Sequence, residues 1–304
     1  MDIINVYNKL IEKIKAKNIL KDEPMYKHTS FKIGGPTDLM VLPYSIEEVK
    51  HAIKVCKEYD VDYYIMGNGS NLLVRDKGIR GVVIKIAENF NKVEINGNEV
   101  TAQAGVLLSV LSNIVANKSL KGFEFASGIP GTLGGAVAMN AGAYGGEIKD
   151  VLVGATVIDD KGNIIYLNNE SLELGYRESI IQRKGFVVLE VKMQFEKGDY
   201  SEIKEKIKDF TQRRTTKQPL SLPSAGSTFK RPPGYYAGKL IEDAGLKGVR
   251  VGGAQVSTLH SGFIVNVDKA TAEDVILLME LVQKTVRDKF GVLLNPEVKI
   301  IGQV

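Results

Sequence analysis

The sequence predicts an α+β protein of more than one domain, with helices and strands in separate blocks. Its 304 residues, at about 150 residues per domain, suggest two domains and allow three. Apolar stripes of helical period and short strand-like runs follow one another along the chain without a regular βαβ alternation. The polar segment Lys197-Gly198-Asp199 marks a domain boundary, and a weaker boundary lies near residue 90.

Helices are predicted where apolar residues recur every three or four positions. The first covers residues 3–17. A capping box, Ser45-Ile46-Glu47-Glu48, begins the second, which continues to about Tyr59. Its apolar face includes Cys56, which is most simply a core thiol. Further helices are predicted over residues 106–118, 201–214 and 271–290.

Strands are predicted for short apolar runs bounded by turn-forming residues. Asn96-Gly97-Asn98 and Asp159-Asp160-Lys161-Gly162-Asn163 are turn sequences between such runs. The predicted strands are residues 62–66, 82–86, 93–95, 100–104, 151–158, 164–167, 186–195 and 296–298.

The composition excludes several classes of protein. With 44% hydrophobic and 25% charged residues, the chain is ordinary for a soluble protein, and no apolar run reaches the roughly 18 residues of a membrane span. One cysteine cannot form an internal disulfide or a multi-cysteine metal site, and three histidines argue against a histidine-based metal centre. The net charge of +4 is too small for a nucleic-acid footprint. We therefore expect a cytoplasmic protein without metal, nucleic acid, membrane insertion or obligate protein partner.

Two glycine-rich segments are candidate ligand sites. Gly67-Asn68-Gly69-Ser70-Asn71 directly follows a predicted strand, where glycines let backbone N–H groups converge on an anion. A plain tight turn is the alternative. The longer segment runs from Ser127 to Gly146, and close packing of neighbouring elements is its alternative. Two such segments together favour a long ligand with a diphosphate, such as a dinucleotide.

Several polar residues are ambiguous when taken singly. Arg177 suits a carboxylate but equally a surface ion pair, and Arg214 lies in a basic stretch that also fits a solvated helix end. Ser227 lies in a loop among prolines. Its alternative roles are those of a nucleophile, a proton donor and a turn residue. His260 taken alone also fits a structural histidine. Glu297 taken alone also fits an exposed charge at the end of a strand.

In combination, these segments resemble a known family. In order they are His28-Thr-Ser-Phe-Lys-Ile-Gly-Gly35, Gly67-Asn-Gly-Ser-Asn71, Gly128-Ile-Pro-Gly131 through Gly142-Ala-Tyr-Gly145, Gly175-Tyr-Arg177, Gly226-Ser-Thr-Phe-Lys230, Gly252-Gly-Ala-Gln255 and Leu294-Asn-Pro-Glu-Val298. The chain resembles the UDP-N-acetylenolpyruvoylglucosamine reductases from about residue 20 to its end. In its short length, the chain resembles the branch of that family that lacks an extra tyrosine-bearing loop.

The resemblance implies a fold and a reaction. It implies a two-part FAD-binding domain of the vanillyl-alcohol-oxidase (PCMH) type, with parts at residues 1–90 and 91–198, and a C-terminal α+β substrate-binding domain at residues 199–304. It also implies NADPH-dependent reduction of UDP-N-acetylglucosamine enolpyruvate to UDP-N-acetylmuramate, a step of peptidoglycan precursor synthesis, through non-covalently bound FAD. One departure is Arg231-Pro232, since the family usually has Asn-Pro there.

The same resemblance implies the site residues. The expected catalytic residues are Arg177, Ser227 and Glu297. The expected cofactor contacts are Gly67, Asn68, Gly69, Ser70, Asn71, Leu72, Ser127, Ile129, Pro130, Gly131, Thr132, Gly135, Asn140, Gly142 and Arg214. The expected substrate contacts are Tyr176, Lys217, Lys230, Lys247 and His260.

Two other functions are compatible with the glycine-rich segments. A flavin- or nucleotide-binding module without catalysis needs these segments, but it does not need Arg177, Ser227 and Glu297 together. A flavin oxidase of the same superfamily often tethers its flavin through His or Cys, and the glycine-rich segments here contain neither. The reductase is therefore the favoured function.

Overall fold

The computed structural model describes residues 3–304, which form two compact units. Of the described residues, the first unit consists of 3–21, 39–68 and 81–214, and the second of 22–38, 69–80 and 215–304. The second unit thus combines the C-terminal third with two segments from the first 80 residues. The division into three domains with boundaries at residues 90 and 198 stays a prediction.

The described residues contain helices and strands in the proportions of an α+β protein, which confirms the predicted fold class. The helices are α1 (Ile3–Leu10), α2 (Ile46–Glu58), α3 (Leu108–Ala116), α4 (Leu133–Ala138), α5 (Ile180–Lys184), α6 (Tyr200–Lys217), α7 (Ala237–Asp243) and α8 (Ala272–Phe290). The strands are β1 (Ile19–Pro24), β2 (Pro36–Val41), β3 (Tyr63–Met66), β4 (Leu72–Val74), β5 (Ile79–Lys85), β6 (Val93–Asn96), β7 (Glu99–Gln103), β8 (Leu120–Lys121), β9 (Gly142–Ala143), β10 (Gly146–Glu147), β11 (Leu152–Ile158), β12 (Ile164–Asn168), β13 (Val187–Gln194), β14 (Glu196–Lys197), β15 (Arg250–Val251), β16 (Ala254–Val256), β17 (Ile264–Asn266) and β18 (Lys299–Ile301).

The first unit is built on two sheets. One has the strand order β1-β2-β5-β3, and its β3 and β5 are parallel, with Met66 opposite Lys85. The other has the order β12-β11-β13-β7-β6, and its neighbouring strands are antiparallel. Helices α2, α3 and α4 contribute buried side chains to one hydrophobic core with both sheets. Because β3 ends at Met66, the glycine-rich segment that follows emerges from the edge of a sheet.

The second unit has a separate hydrophobic core. Helix α8 buries the predicted stripe Val275, Leu278, Val282 and Val286 completely, packed with residues of α7 and of the sheet β15-β16-β17. A two-stranded parallel sheet joins β4 to β18, with Leu73 opposite Ile300. Leu73 also belongs to this core. Strand β4 thus anchors the 69–80 segment to the end of the chain.

Helix boundaries follow the predicted capping signals closely. The Oγ of Ser45 accepts from the backbone N–H of Glu48 at 3.2 Å, and the Glu48 carboxylate accepts from the N–H of Tyr44 rather than of Ser45. Thr271 and Asp274 form a reciprocal capping box at the start of α8, and Gly291 ends that helix with φ +68°. Cys56 is fully buried, and burial raises the pKa of its thiol to about 12. The interpretation of Cys56 as a core thiol is confirmed.

The first helix and the last strand depart furthest from their predicted bounds. The first helix ends at Leu10 rather than residue 17, and in the turns that follow the N–H groups of Glu12 and Lys13 donate to carbonyls three residues before them. The last strand is Lys299–Ile301 rather than residues 296–298, and Pro296 takes part only in an isolated bridge. Proline has no N–H to donate to a sheet.

Residues 3–304 contain neither a helix that could span a membrane nor a cluster of metal-binding side chains. None of the helices combines the length and the apolar character that a membrane crossing requires. Within the same residues, no group of three or more His, Cys, Asp and Glu side chains is arranged to hold a metal ion.

Candidate active site

The first glycine-rich segment touches the second within the first unit. A Cβ at Gly67 would overlap the Oγ1 of Thr132, so only glycine allows this approach of the backbone. The Nδ2 of Asn68 donates to the carbonyl of Pro130 at 2.7 Å. The structure therefore brings four predicted cofactor contacts together, namely Gly67, Asn68, Pro130 and Thr132.

The second glycine-rich segment contains glycines of two kinds. At Gly134 a Cβ would lie 2.8 Å from the Cβ of Ala104, and at Gly146 it would lie 2.5 Å from the ring of Phe125. These two glycines serve close packing, as the alternative interpretation held. The neighbouring Gly135 is exposed, and the nearest atom to its Cβ position is the Oγ1 of Thr132 at 3.6 Å. Gly135 thus borders open space, as a ligand contact requires.

Ser127 and Arg214 form a polar site next to Gly128. The Ser127 Oγ is buried and has no hydrogen-bond partner among the described residues. A Cβ at Gly128 would lie 2.8 Å from the Cδ of Arg214. Burial lowers the pKa of Arg214, which remains a cation, and no carboxylate of residues 3–304 forms an ion pair with it. A buried donor and a partly buried, uncompensated cation fit an anionic ligand that accepts hydrogen bonds.

Tyr144 and Phe210 are candidate site residues that the sequence reasoning did not select. Their rings stack with centroids 4.5 Å apart and an interplanar angle of 12°. Tyr144 is 40% exposed and has a φ of +53°, and Phe210 lies one helical turn before Arg214 on α6. A signal for Tyr144 was present, since this aromatic residue lies within the second glycine-rich segment.

Arg177 lies in a tight turn of the first unit. Gly175 and Glu178 form an isolated antiparallel bridge, and Arg177 between them has a φ of +58°. Its Nη2 donates to the carbonyl of Gly142 at 3.5 Å, and its guanidinium carbon lies 5.1 Å from the centre of the Tyr176 ring. The structure thus groups Arg177 with Tyr176 and Gly142, three of the predicted site residues.

Asn140 and Glu147 lie behind this turn. The Asn140 Nδ2 donates to the carbonyl of Gly175 at 3.1 Å and to the Oε2 of Glu147 at 2.9 Å. The pKa of Glu147 is lowered, mainly by its hydrogen bond with Lys149, and the Asn140 bond and the charge of Arg177 contribute further. Glu147 is therefore a carboxylate at neutral pH.

Ser227 and Glu297 are brought onto neighbouring segments of the second unit. Phe229 and Pro296 form an antiparallel bridge, and the N–H of Glu297 donates to the carbonyl of Thr228 at 2.8 Å. Thr228 is buried while Ser227 is exposed. The backbone pairing therefore places the segments that carry Ser227 and Glu297 side by side, although the two residues are 70 positions apart in the sequence.

Asn71 and Lys230 flank the same pair of segments. The Nδ2 of Asn71 donates to the carbonyl of Glu297 at 3.0 Å, and its own carbonyl accepts from the N–H of Lys299. The N–H of Lys230 donates to the carbonyl of Asn295. Of the predicted cofactor contacts, Asn71 thus uses its side-chain amide to hold the segment that carries Glu297.

Two predicted substrate contacts lie near each other in the second unit. Burial lowers the pKa of His260, with Glu242 opposing and Lys247 reinforcing the effect. The His260 Nδ1 accepts from the N–H of Gly262 at 3.1 Å, which leaves Nε2 as a donor. Lys247 forms an ion pair with Glu242 at 3.0 Å. A neutral imidazole and an exposed lysine at one place can donate to a polar or anionic substrate.

Lys217, the remaining predicted substrate contact, is the last residue of α6 and is exposed.

Of the remaining predicted cofactor contacts, Ile129 follows Gly128 in the first unit, and the Gly131 carbonyl accepts from the N–H of Leu108 at 3.0 Å. The other three belong to the second unit, namely Gly69, Ser70 and Leu72.

These residues fit FAD on three structural observations. Gly135 borders open space, the Ser127 hydroxyl lacks a partner among the described residues, and Arg214 supplies an uncompensated positive charge. A dinucleotide with a diphosphate requires close backbone approach, hydrogen-bond donors and cations.

The chain matches two family models and many known proteins. A model of an FAD binding domain matches residues 37–168, and a model of the C-terminal domain of UDP-N-acetylenolpyruvoylglucosamine reductase matches residues 218–301. The chain is 61% identical over 303 residues to the UDP-N-acetylenolpyruvoylglucosamine reductase of Alkaliphilus oremlandii, with 100% of both chains covered. It is 52% identical over 299 residues to that of Clostridioides difficile, with 98% of both covered.

A solved structure agrees over nearly the whole chain. The crystal structure of UDP-N-acetylenolpyruvylglucosamine reductase from Thermus caldophilus superposes with a TM-score of 0.80 at 34% identity, covering 93% of this chain and 98% of the other. Similarity of this extent includes both units and every segment in which the site residues lie. The chain belongs to the UDP-N-acetylenolpyruvoylglucosamine reductase family.

Proposed function

We propose that this chain reduces UDP-N-acetylglucosamine enolpyruvate to UDP-N-acetylmuramate for peptidoglycan synthesis, with NADPH as the electron donor and FAD as the cofactor. Arg177, Ser227 and Glu297 act on the substrate. The observation that carries the roles of Ser227 and Glu297 is the hydrogen bond of 2.8 Å from the N–H of Glu297 to the carbonyl of Thr228, the residue after Ser227. It holds a hydroxyl-bearing and a carboxyl-bearing residue on neighbouring segments, as a proton-transfer step requires.

FAD, when bound, supplies the hydride exchange with NADPH and with the substrate. Reduction of an enolpyruvyl ether to a lactyl ether adds a hydride to the terminal carbon and a proton to the adjacent carbon. Negative charge develops on the substrate carboxylate between these additions. Arg177 binds this carboxylate through its guanidinium, because a fixed cation stabilises charge that develops in the transition state. Glu297 orients the carboxylate or shares a proton with it.

Ser227 donates the proton to the adjacent carbon. A serine hydroxyl is a weak acid, so its donation depends on charges nearby. Lys230, three residues further along the loop, stabilises the alkoxide as it forms. The loop is held from both sides, since the Thr228 N–H donates to the carbonyl of Gly262 and the Lys230 N–H to that of Asn295. The Ser227 backbone is therefore fixed while its side chain is exposed.

Binding of the UDP-sugar is assigned to Tyr176, Lys217, Lys230, Lys247 and His260. The exposed lysines supply positive charge for a diphosphate, and the neutral His260 donates through Nε2. The mild net charge of +4 suits an enzyme of small anionic substrates. We place the enzyme in the cytoplasm, working without an obligate protein partner.

Turnover tests the function directly. The purified protein should be yellow, should lose its colour with NADPH in the absence of oxygen, and should regain it when the UDP-enolpyruvyl sugar is added. A protein that only binds flavin does not consume NADPH with this substrate. An oxidase regains its colour as readily with oxygen alone. Either of these two results rejects the reductase.

A matched pair of glycines tests the cofactor site. Gly134→Ala should destabilise the protein by about 1–3 kcal/mol, because its Cβ overpacks against Ala104. Gly135→Ala should leave the apoprotein as stable or up to about 1 kcal/mol more stable, as alanine favours a helix. Its Cβ enters the proposed cofactor space, however, so flavin content should fall. Full flavin content in Gly135→Ala removes Gly135 from the cofactor site.

A further inference from the structure

We propose that Asn140 is a positioning residue that fixes the turn carrying Arg177, rather than a contact to the cofactor. The inference rests on the proposed role of Arg177 in binding the substrate carboxylate. It goes beyond that role by assigning the residue that holds Arg177 in place, and it reassigns a residue whose place in a glycine-rich segment suggested a ligand contact.

The hydrogen-bonding capacity of Asn140 is used within the protein. The residue has no exposed surface. Its Nδ2 donates to Gly175 and to Glu147, and its Oδ1 accepts from the N–H of Lys149 at 3.0 Å. Both amide hydrogens are thereby taken. A buried amide with two acceptors and one donor around it links protein segments and has no hydrogen left to donate to a ligand.

The turn that Asn140 holds is one that needs support. Arg177 has a φ of +58°, a conformation that side-chain-bearing residues adopt rarely and at an energetic cost. Such strain persists only where the surroundings fix it. The hydrogen bond from Asn140 to the Gly175 carbonyl fixes the segment that precedes Arg177.

The far side of the turn is fixed to the same place. The Oγ of Ser179 and the Nε2 of Gln182 both donate to the carbonyl of Ala138 at 2.5 Å. Ala138 ends α4, two residues before Asn140. The end of α4 therefore holds both sides of the turn, and Asn140 is the only one of these three residues that bonds the turn itself, at Gly175.

Replacement by aspartate tests the polarity of this contact. In Asn140→Asp, a carboxyl oxygen replaces the Nδ2 and faces two acceptors, the Gly175 carbonyl and the Glu147 carboxylate. Asn140→Asp/Glu147→Gln reverses the donor and acceptor between positions 140 and 147. The double variant therefore regains the 140–147 bond, while the Gly175 carbonyl still lacks its donor. Lys149→Ala is the matched control, since it removes the ion pair of Glu147 but keeps the backbone N–H that bonds Asn140.

Three quantities are measured on the holoenzyme of each variant. They are the flavin content, the rates of the two half-reactions by stopped-flow absorbance, and hydrogen exchange of the amides in residues 175–178 and 141–150. In Asn140→Asp we expect unchanged flavin content, unchanged reduction by NADPH and faster exchange at 175–178. Reoxidation at saturating enolpyruvyl substrate should slow about tenfold to a hundredfold, since displacement of a positioned group by about 1 Å has an effect of this size.

The double variant separates the turn from general folding. It should recover slow exchange at 141–150 but remain fast at 175–178, and its reoxidation should remain slow. Lys149→Ala should match the wild type in all three quantities. If Asn140→Asp does not fold, Asn140→Ser, which keeps a single donor, replaces it in the same measurements.

The proposal is overturned by wild-type reoxidation in Asn140→Asp, by full recovery of the rate in the double variant, or by flavin loss that accounts for the lost activity. Arg177→Ala is measured beside these variants. If it reoxidises at the wild-type rate, the proposed role of Arg177 is rejected. Exchange at 175–178 then still decides whether Asn140 holds the turn.

Discussion

The two units hold their proposed catalytic residues in different ways. In the first unit, side chains fix Arg177: Asn140 bonds the turn at Gly175, and Ser179 bonds α4 just after it. In the second unit, main-chain bonds align Ser227 with Glu297, through the Phe229–Pro296 bridge and the Glu297–Thr228 hydrogen bond. The first arrangement depends on the identity of a few side chains. The second depends on a backbone geometry that is compatible with many side chains.

Removal of the Ser227 hydroxyl has the largest expected effect and tests the main-chain arrangement. Ser227 is exposed and its neighbours fix its backbone, so Ser227→Ala should keep the wild-type melting temperature and flavin reduction by NADPH. Reoxidation by the enolpyruvyl substrate should fall about 10²–10⁴-fold, the usual contribution of a positioned general acid. Ser227→Cys should recover part of the rate, because a thiol also donates a proton. Equal slowing of both half-reactions would make Ser227 a structural or cofactor residue.

In the second unit the side chain of Thr228 also supports the backbone, as that of Asn71 does. Its Oγ1 accepts from the buried N–H of Ile264 at 3.0 Å. Thr228→Val leaves that N–H without an acceptor and should lower the free energy of unfolding by about 1–3 kcal/mol. Thr228→Ser keeps the acceptor and serves as the control. If denaturant unfolding shows equal stability for the valine and serine variants, the hydroxyl does not support this loop.

Two variants that both remove the Arg177 side chain test whether the backbone at this position is strained. Both Arg177→Ala and Arg177→Gly remove the guanidinium and should abolish substrate reduction equally. Glycine tolerates the φ of +58°, however, so the glycine variant should be about 1 kcal/mol more stable than the alanine variant. Thermal unfolding measures the difference. Equal stability would show that the turn relaxes without its arginine and that the first unit is less constrained than we infer.

His260 gives the smallest expected effect, a change in the pH dependence of stability. Burial lowers its pKa in the folded protein, whereas the unfolded chain binds a proton near pH 6.5. The unfolded state therefore binds more protons below that pH, and stability falls as the pH decreases. His260→Gln should weaken this fall between about pH 7 and 5 in urea unfolding. An unchanged slope would mean that the histidine is solvated when folded.

Local signals predicted the helices well. Ser45 and Thr271 are N-caps whose side chains bond the first turn, and the α8 stripe from Val275 to Val286 is buried. These features depend on residues within a few positions of each other, so the sequence contains them directly. The end of α1 at Leu10 was not predicted, because the apolar period continues to Ile14, which is buried as well.

Contacts between distant residues were beyond the sequence patterns. The Tyr144–Phe210 stack and the bond of Asn140 to Gly175 join residues that share no periodic relation. Glycine in the segment from Ser127 to Gly146 has two causes, packing at Gly134 and open space at Gly135, and composition alone cannot separate them. The resemblance to a family supplied the identities of Arg177, Ser227 and Glu297, because each residue taken singly favours an ordinary structural role.

The pairing of β4 with β18 has a consequence for synthesis on the ribosome. Asn71, at the start of β4, bonds Glu297, 226 positions later. At about 5–20 residues per second, translation needs about 11–45 s to cover this interval. During that time β4 has no strand to pair with, and the core that Leu73 joins is incomplete, since it includes Val298. The second unit can therefore complete its fold only as the last residues of the chain emerge, and a chain that stops before Lys299 leaves β4 without its partner strand.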